Sequence, residues 1–378
     1  MALAQQMAGF TRRINQKAVD CGLTIRRIVF FILLTMTLGV GFTSCSNEDD
    51  GSNTSYNNKS SNNGETETFA KIGTTISVTK DTAASTILNL TENTTLVVTG
   101  GVNTVTINQI GIAMKENTSP KIALDLSGTT GMTEIPKSGF EGCTGLYSIK
   151  LPSTLVSIGD YAFKKCSSLV NITIPDSVTS FGGTSTFQDC TSLKNAVLGS
   201  GIPQVRWYLF SGCSSLEAVT FRGSYSYDGI GLWDNCTSLK ELIVYGSVAE
   251  NSFKDLGITL EKVTLGSGNS SDSITIEKDA FRGTQIKSII IKDGVVQLYA
   301  SAFTGNVVTS ITFENTNGWY LPTKKYVSNK LSGYADIDVD VTNPITNVAN
   351  WKKWNQEYIT DENNSTIKYR VSYLKRRL

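Results

Sequence analysis

An aromatic residue followed three positions later by cysteine returns along this chain at a nearly constant interval. Phe140, Phe163, Phe187, Phe210 and Trp233 precede Cys143, Cys166, Cys190, Cys213 and Cys236, whose spacings are 23, 24, 23 and 23. Few architectures admit a fixed interval of this length, because one such unit is a single supersecondary turn that cannot bury its own apolar face and must stack on its neighbours. The interval also governs how the cysteines read: one structural slot per unit, not a disulfide framework of irregular loops. A chain of 378 residues could hold two or three ordinary domains, but a stacked array grows without any such division.

Each unit carries the pattern Leu-x-x-apolar-x-apolar: Leu146/Ile149/Leu151, Leu169/Ile172/Ile174, Leu193/Ala196/Leu198, Leu216/Val219/Phe221 and Leu239/Leu242/Val244. Weaker units starting at Phe253, Phe281 and Phe303 lack the cysteine but continue with Leu260/Val263/Leu265, Ile286/Ile289/Ile291 and Val308/Ile311/Phe313. Alternation at the last two positions marks a short strand with one buried face. Stacked units pair each strand with the next in a parallel sheet, so 140–313 is expected to form a curved solenoid of about eight turns. The 33 glycines, 7 prolines and many β-branched residues agree with a mostly β, turn-rich chain.

The second unit is specific enough to place in a family. Phe163, Cys166, Ser168-Leu169, Ile172, Ile174-Pro175, Ser177-Val178 and Phe181-Gly182 resemble the repeat of the BspA-type (treponemal) leucine-rich repeat surface lipoproteins, and the first unit adds Leu151-Pro152, Ile158-Gly159 and Ala162. The resemblance covers about half the chain and implies a mostly β repeat solenoid with a parallel sheet on its concave face and N- and C-terminal caps. From the third unit onward the Pro-x-Ser-Val half decays, which predicts an irregular convex side.

The flanks read as covers for this array. Residues 68–139 are expected to form an N-terminal cap, with strands at Thr75–Thr79, Ser85–Leu90, Thr94–Val98 and Lys121–Leu126 and a helix over Ile107–Asn117 that presents Ile107, Ile110 and Met114 on one face. Residues 314–378 form a C-terminal cap and tail. Within them 344–359 spaces Val348, Trp351, Trp354 and Tyr358 at helical intervals, a capping helix whose aromatics are read as buried cover rather than ligand platform.

The front end reads as an export signal. Residues 28–42 are an apolar run after Arg26 and Arg27, of signal-peptide length and short for a membrane span. Phe42-Thr43-Ser44-Cys45 resembles the lipobox of bacterial lipoproteins, which implies a signal peptide over 1–44 and lipidation of Cys45, although Phe42 replaces the usual aliphatic residue. An ordinary signal peptide with an incidental cysteine is the other reading, and both place the body outside the cytoplasm. Residues 45–67 are Asn-, Ser-, Gly- and acid-rich, a disordered tether reaching on the order of 25 Å. The acids after Cys45 resemble the signal that sends some lipoproteins to the cell outer membrane surface. A solvated linker explains the same acids.

Much chemistry is excluded. The chain has no histidine, which removes the commonest general base and transition-metal ligand. Basic residues concentrate at the two ends, leaving the body acidic, a poor match to nucleic acid. Membrane contact is expected only through the lipid anchor. The repeat cysteines read as buried free thiols: stacked coils lie about 4.8 Å apart, but equivalent side chains point the same way, whereas a disulfide needs converging Cβ atoms. Asp336, Asp338 and Asp340 begin like a calcium loop, but Val341 and Asn347 stand where glycine and glutamate belong, so one solvated face of a strand is preferred. No nucleophile elbow, phosphate loop or dinucleotide fingerprint occurs, and neither enzymatic activity, metal nor cofactor is expected.

Two candidate sites remain. The outward residue of each strand forms a β-branched, almost uncharged row, Lys150, Thr173, Val197, Thr220, Ile243, Thr264, Ile290 and Thr312, readable as a docking face or simply as good strand formers. Trp207, Tyr208, Tyr225, Tyr227 and Tyr245 lie near the turns and suit a protein or glycan ligand, core packing being the alternative. The resemblance implies an adhesin or binding scaffold for host matrix, host cells or other bacteria. The runner-up is a structural or assembly component of the envelope that binds the cell's own proteins or glycans.

Overall fold

The computed structural model describes residues 69–376 apart from 183, 203, 227–230, 270, 318, 328–329, 339–357, 361–366 and 372. These residues lie within one compact unit, Glu65–Leu378. The signal peptide, the lipobox and the tether fall outside the described residues.

In chain order the elements are β1 (Thr74–Thr79), α1 (Ala83–Asn89), β2 (Thr94–Gly101), α2 (Thr104–Glu116), β3 (Ile122–Asp125), β4 (Thr129–Thr130), β5 (Glu134–Ile135), β6 (Leu146–Lys150), β7 (Ser157–Ile158), β8 (Asn171–Thr173) and β9 (Ser180–Phe181). There follow β10 (Asn195–Leu198), β11 (Ala218–Phe221), β12 (Glu241–Val244), β13 (Thr259–Leu265), β14 (Ile274–Ile276), β15 (Gln285–Ile291), β16 (Val295–Tyr299), a 3-10 turn at Ala300–Phe303 and β17 (Ser310–Phe313). The end of the chain supplies β18 (Trp319–Val327), β19 (Lys330–Asp338), β20 (Tyr358–Thr360), β21 (Ile367–Val371) and β22 (Tyr373–Arg376).

The protein is a mostly β parallel solenoid. Its main sheet runs β1-β2-β3-β6-β8-β10-β11-β12-β13-β15-β17, all parallel neighbours, with one strand per coil. The register is that of the repeat: Ile172, Ala196, Val219, Leu242, Val263, Ile289 and Ile311 stack strand by strand and are buried. On the opposite wall β5, β7 and β9 form a short parallel sheet that ends at Phe181. Beyond it the convex wall is held by single bridges, Thr184 to Trp207 and Tyr225 to Val248 to Ile276, before β14 pairs with β16. This is the irregular convex side expected where Pro-x-Ser-Val fades.

Residues 74–125 contribute three strands to the main sheet, with helices in place of the convex turns. The helix expected over 107–117 starts at Thr104, capped by the Asn103 side chain accepting from the Thr106 amide, and buries Ile107, Ile110 and Met114. The strand expected at 85–90 is instead α1. Parallel β1 and β2 need a crossover on the far side of the sheet, and a helix that buries Ala83 and Ile87 at i and i+4 satisfies both its own backbone and that path. The β-branched Thr86 and Ile87 misled the propensity reading.

At the other end β22 pairs antiparallel with β16 and β18, and Trp319 packs edge-on against Phe313 at 5.0 Å, covering the last coil. Asp336 and Asp338 lie on strand β19, in register with β18. Most of the helix expected at 344–359 lies outside the described residues, but Tyr358 and Ile359 belong to strand β20, paired with β21, so the helical reading does not hold for those two.

Two interior ladders hold the coils together. Phe140, Phe163, Phe187, Phe210 and Trp233 stack with centroids 5.5, 5.5, 5.7 and 5.6 Å apart. Trp233 begins a shorter unit, and the stack resumes on Tyr225, which lies 4.6 Å from Phe253, followed by Phe281 and Phe303 at 4.9 and 5.2 Å. The second ladder is the cysteine slot. All five thiols are free and buried, and four of them donate to the carbonyl of the aromatic residue one coil back: Cys166 to Phe140, Cys190 to Phe163, Cys213 to Phe187 and Cys236 to Phe210, each at 3.1 Å. Where cysteine is lost, Thr284 donates to Phe253 and Asn306 to Phe281 in the same way. Outside the Phe253 coil, where Leu256 takes the position, the slot carries a side-chain donor, and the thiol is more than core filler.

Candidate binding face

Strand register gathers the eight outward residues into a single row. Lys150 lies at the end of β6, one strand from Thr173, which is followed by Val197, Thr220, Ile243, Thr264, Ile290 and Thr312, each opposite the next. Thr220 and Thr264 are only 8 and 7% exposed, while the others are half-buried, because a concave sheet crowds the side chains on its outer face. The row is thus a dense apolar floor rather than a line of separate side chains.

Charge is confined to its margin. Backbone hydrogen bonds place Lys194, Glu217 and Lys240, each just before its strand, and Glu261 within β13 side by side, alternating in sign. Lys194 and Glu217 approach to 3.9 Å, and on the strands Glu241 meets Lys262 at 2.5 Å. Exposed pairs of this kind contribute between nothing and about 1 kcal/mol each. Their effect is to neutralise the rim, so the face presents an uncharged centre with balanced charges around it.

Between the floor and the preceding buried row runs a second outward row, Thr75, Thr95, Ala123, Ser148, Asn171 and Asn195. Thr95, Ala123 and Ser148 are fully buried although they face outward. The segment Phe69–Ile72 crosses the strands above them. Ser148 Oγ donates to the Ala70 carbonyl at 2.6 Å, while Thr95 Oγ1 accepts from the Ile72 amide at 2.8 Å and donates to its carbonyl at 2.9 Å. Sequence reasoning missed this strap, since nothing in residues 69–72 distinguishes a crossing from an incoming linker.

The aromatic group proposed near the turns does not come together as one patch. Tyr225 is buried in the ring stack, 4.2 Å from Phe221, so for this residue core packing is the correct reading. Trp207 is 52% exposed on the convex wall, Tyr208 and Tyr245 are half-buried, and Tyr227 lies outside the described residues. Tyr208 adopts φ 55°, and its ring occupies the space that a Cβ on Gly231 of the next coil would need.

Burial holds the five slot thiols in their neutral form. Burial pushes the Cys143 thiol up to about 12, Lys115 opposing it weakly, and burial likewise raises Cys166, Cys190, Cys213 and Cys236. A thiol held neutral is neither nucleophile nor metal ligand. Among the described residues no three His, Cys, Asp or Glu side chains gather into a possible metal site.

The sequence pattern of the BspA type leucine rich repeat region matches residues 133–259 and 246–320, in six copies. Among solved structures the chain is similar to a leucine-rich repeat protein from Bacteroides ovatus, at 19% identity over 58% of this chain with a TM-score of 0.33, and spans 62% of that protein's length. It is also similar to the leucine rich repeat protein of T. pallidum, at 24% identity over 51% of this chain and 78% of the other with a TM-score of 0.31. A leucine rich cell surface protein from Faecalibacterium prausnitzii shares 16% identity over 65% of this chain and 80% of its own, with a TM-score of 0.25. No curated protein matches the chain. The matched residues span the coils that carry one strand each in the main sheet, and the chain belongs to the BspA-type leucine-rich repeat family.

Proposed function

We propose that this protein is an exported, lipid-anchored surface protein that binds protein partners on the concave face of its solenoid, as an adhesin for host matrix, host cells or other bacteria. The observation that carries the binding reading is the floor from Val197 to Thr312: six successive coils present β-branched or apolar side chains without one charge, inside a margin of paired Lys and Glu. Protein interfaces have that anatomy, an apolar centre depleted of charge within a polar rim. An uncharged row six coils long gains nothing from facing water alone. The location rests on the apolar run 28–42 and on Cys45 as the lipidated residue, with 45–67 as tether.

The test has two arms. Protease treatment of intact cells should release peptides from 140–313, whereas protection until lysis would replace the adhesin by an envelope component facing inward. The purified chain should bind matrix proteins, host cells or partner bacteria, and Ile243→Lys with Ile290→Lys should abolish that binding without loss of folded structure. Equal binding by the double variant would remove the concave floor from consideration.

A further inference from the structure

The strap shows what kind of partner the second outward row can hold. Phe69–Ile72 runs across the strands, not along a sheet edge, and its main chain is gripped by side chains of the sheet at alternate residues, Ala70 and Ile72. The Thr95 hydroxyl reads both the amide and the carbonyl of Ile72, the donor and acceptor that any residue except proline offers. The grip is therefore independent of the strap's own side chains.

The same row continues past the strap with no cover among the described residues. Asn171 and Asn195 follow Ser148 in register, half-buried, with Asn195 Nδ2 donating to Asn171 Oδ1 at 2.9 Å. That bond uses one donor and one acceptor. The Asn171 amide group and a lone pair of the Asn195 carbonyl remain, a donor and an acceptor facing out of the sheet as the Thr95 hydroxyl does. Ala218, Glu241 and Lys262 occupy this position on the next three strands, the last two joined in an ion pair, and Ser288 and Ser310 repeat hydroxyls there on the last two strands.

We infer that the open part of this row binds an extended polypeptide segment of a partner protein, laid across the strands in line with the strap and held through its main chain by Asn171, Asn195, Ser288 and Ser310. This rests on the concave-face reading above and names the form of the ligand. From β8 to β17 there are six strand spacings of about 4.8 Å, roughly 29 Å, which about nine extended residues span. Side chains of every second residue would point toward the uncharged floor, so the preferred ligand has apolar residues at alternate positions and needs no net charge.

The probe is a randomised peptide library of about nine residues, displayed on phage and selected on the full chain. Selected sequences should alternate apolar residues. As synthetic peptides they should lose about ten-fold or more in affinity, about 1.4 kcal/mol, toward Asn171→Ala with Asn195→Ala, a surface pair whose loss is checked by an unchanged urea midpoint. N-methylation of every second residue should abolish binding, and methylation of the intervening ones should not. Failure to select any peptide, or binding indifferent to the position of N-methylation, overturns the inference. Should a folded partner still bind and lose affinity only in the Ile243→Lys, Ile290→Lys variant, the concave-face reading stands and the extended-peptide mode falls. If the asparagine variant does not fold, the methylation scan decides by itself.

Discussion

The coils from Phe140 to Val244 and those from Phe253 to Phe313 solve one packing problem with different chemistry. In the first set four coils place a thiol under the carbonyl of the preceding aromatic residue, and the first, at Cys143, places it under the Gly111 carbonyl of α2. In the second the donor is the Thr284 hydroxyl or the Asn306 amide, and the rings stand 4.9 to 5.2 Å apart instead of 5.5 to 5.7 Å. What the two sets share is a ring stacked on a ring and, outside the Phe253 coil, a donor aimed one coil back. The difference teaches that the cysteines belong to a hydrogen-bonding slot, and that thiol chemistry is incidental to it.

The largest effect should come from breaking the stack itself. Phe187→Ala removes a fully buried ring with a neighbour on each side and should cost about 3–5 kcal/mol in urea unfolding. Phe303→Ala removes the last ring of the second set, stacked on Phe281 and 4% exposed where Phe187 is wholly buried, and should cost less. Equal costs would mean that the stack is not cooperative between coils.

Next comes the fit of one coil onto the following one. Gly231 has φ 69° and lies under the Tyr208 ring, so Gly231→Ala should cost about 1–3 kcal/mol by overpacking. Adding Tyr208→Ser should return part of that loss, leaving the strain of a positive φ. A double variant no better than the single one would show that backbone strain alone is responsible.

A smaller effect separates the two kinds of donor. Thr284→Val leaves the Phe253 carbonyl short of its coil-to-coil bond and should cost about 1–2 kcal/mol. Cys213→Ala deletes a weaker thiol donor and should cost less from this source, while Cys213→Ser, which keeps a donor, should come close to the native urea midpoint. If serine were as damaging as alanine, the slot would be selecting sulfur for its volume.

The smallest effect at neutral pH is protonic, and it touches only the first set. An unfolded thiol ionises near 9.0, whereas the folded Cys143 waits until about 12. The unfolded chain thus releases protons first, binds fewer than the native chain above pH 9, and stability falls as pH rises from there toward about 12. Urea midpoints measured at pH 8 and pH 10 should differ, and the difference should shrink when the slot cysteines are replaced by serine. Below pH 9 the thiols should resist alkylation until the chain is unfolded.

How much of this was legible in the sequence follows from where each signal is encoded. The aromatic-x-x-Cys interval and the alternating strand residues gave the solenoid, the parallel sheet and the row from Lys150 to Thr312 directly, because a stacked array repeats its contacts at the period of its sequence. The loss of regularity on the convex wall was likewise readable from the fading Pro-x-Ser-Val. Single departures from the period were not. Helix α1 was mistaken for a strand because Thr86 and Ile87 favour strands locally, while the need for a crossover between β1 and β2 is set by their parallel pairing. Tyr225 carries the composition of an exposed anchor, and only the shortened coil after Trp233 brings it onto Phe253.

The sequence by itself determined the class of fold, the order of coils and the outward row, since each depends on residues separated by one repeat. The tertiary structure decided which outward positions are open. The strap over Thr95 and Ser148 joins residues 23 and 78 positions apart through three hydrogen bonds. Contacts between residues so far apart, outside any period, leave no pattern along the chain and arise only once the coils have stacked to make a floor for the strap to cross.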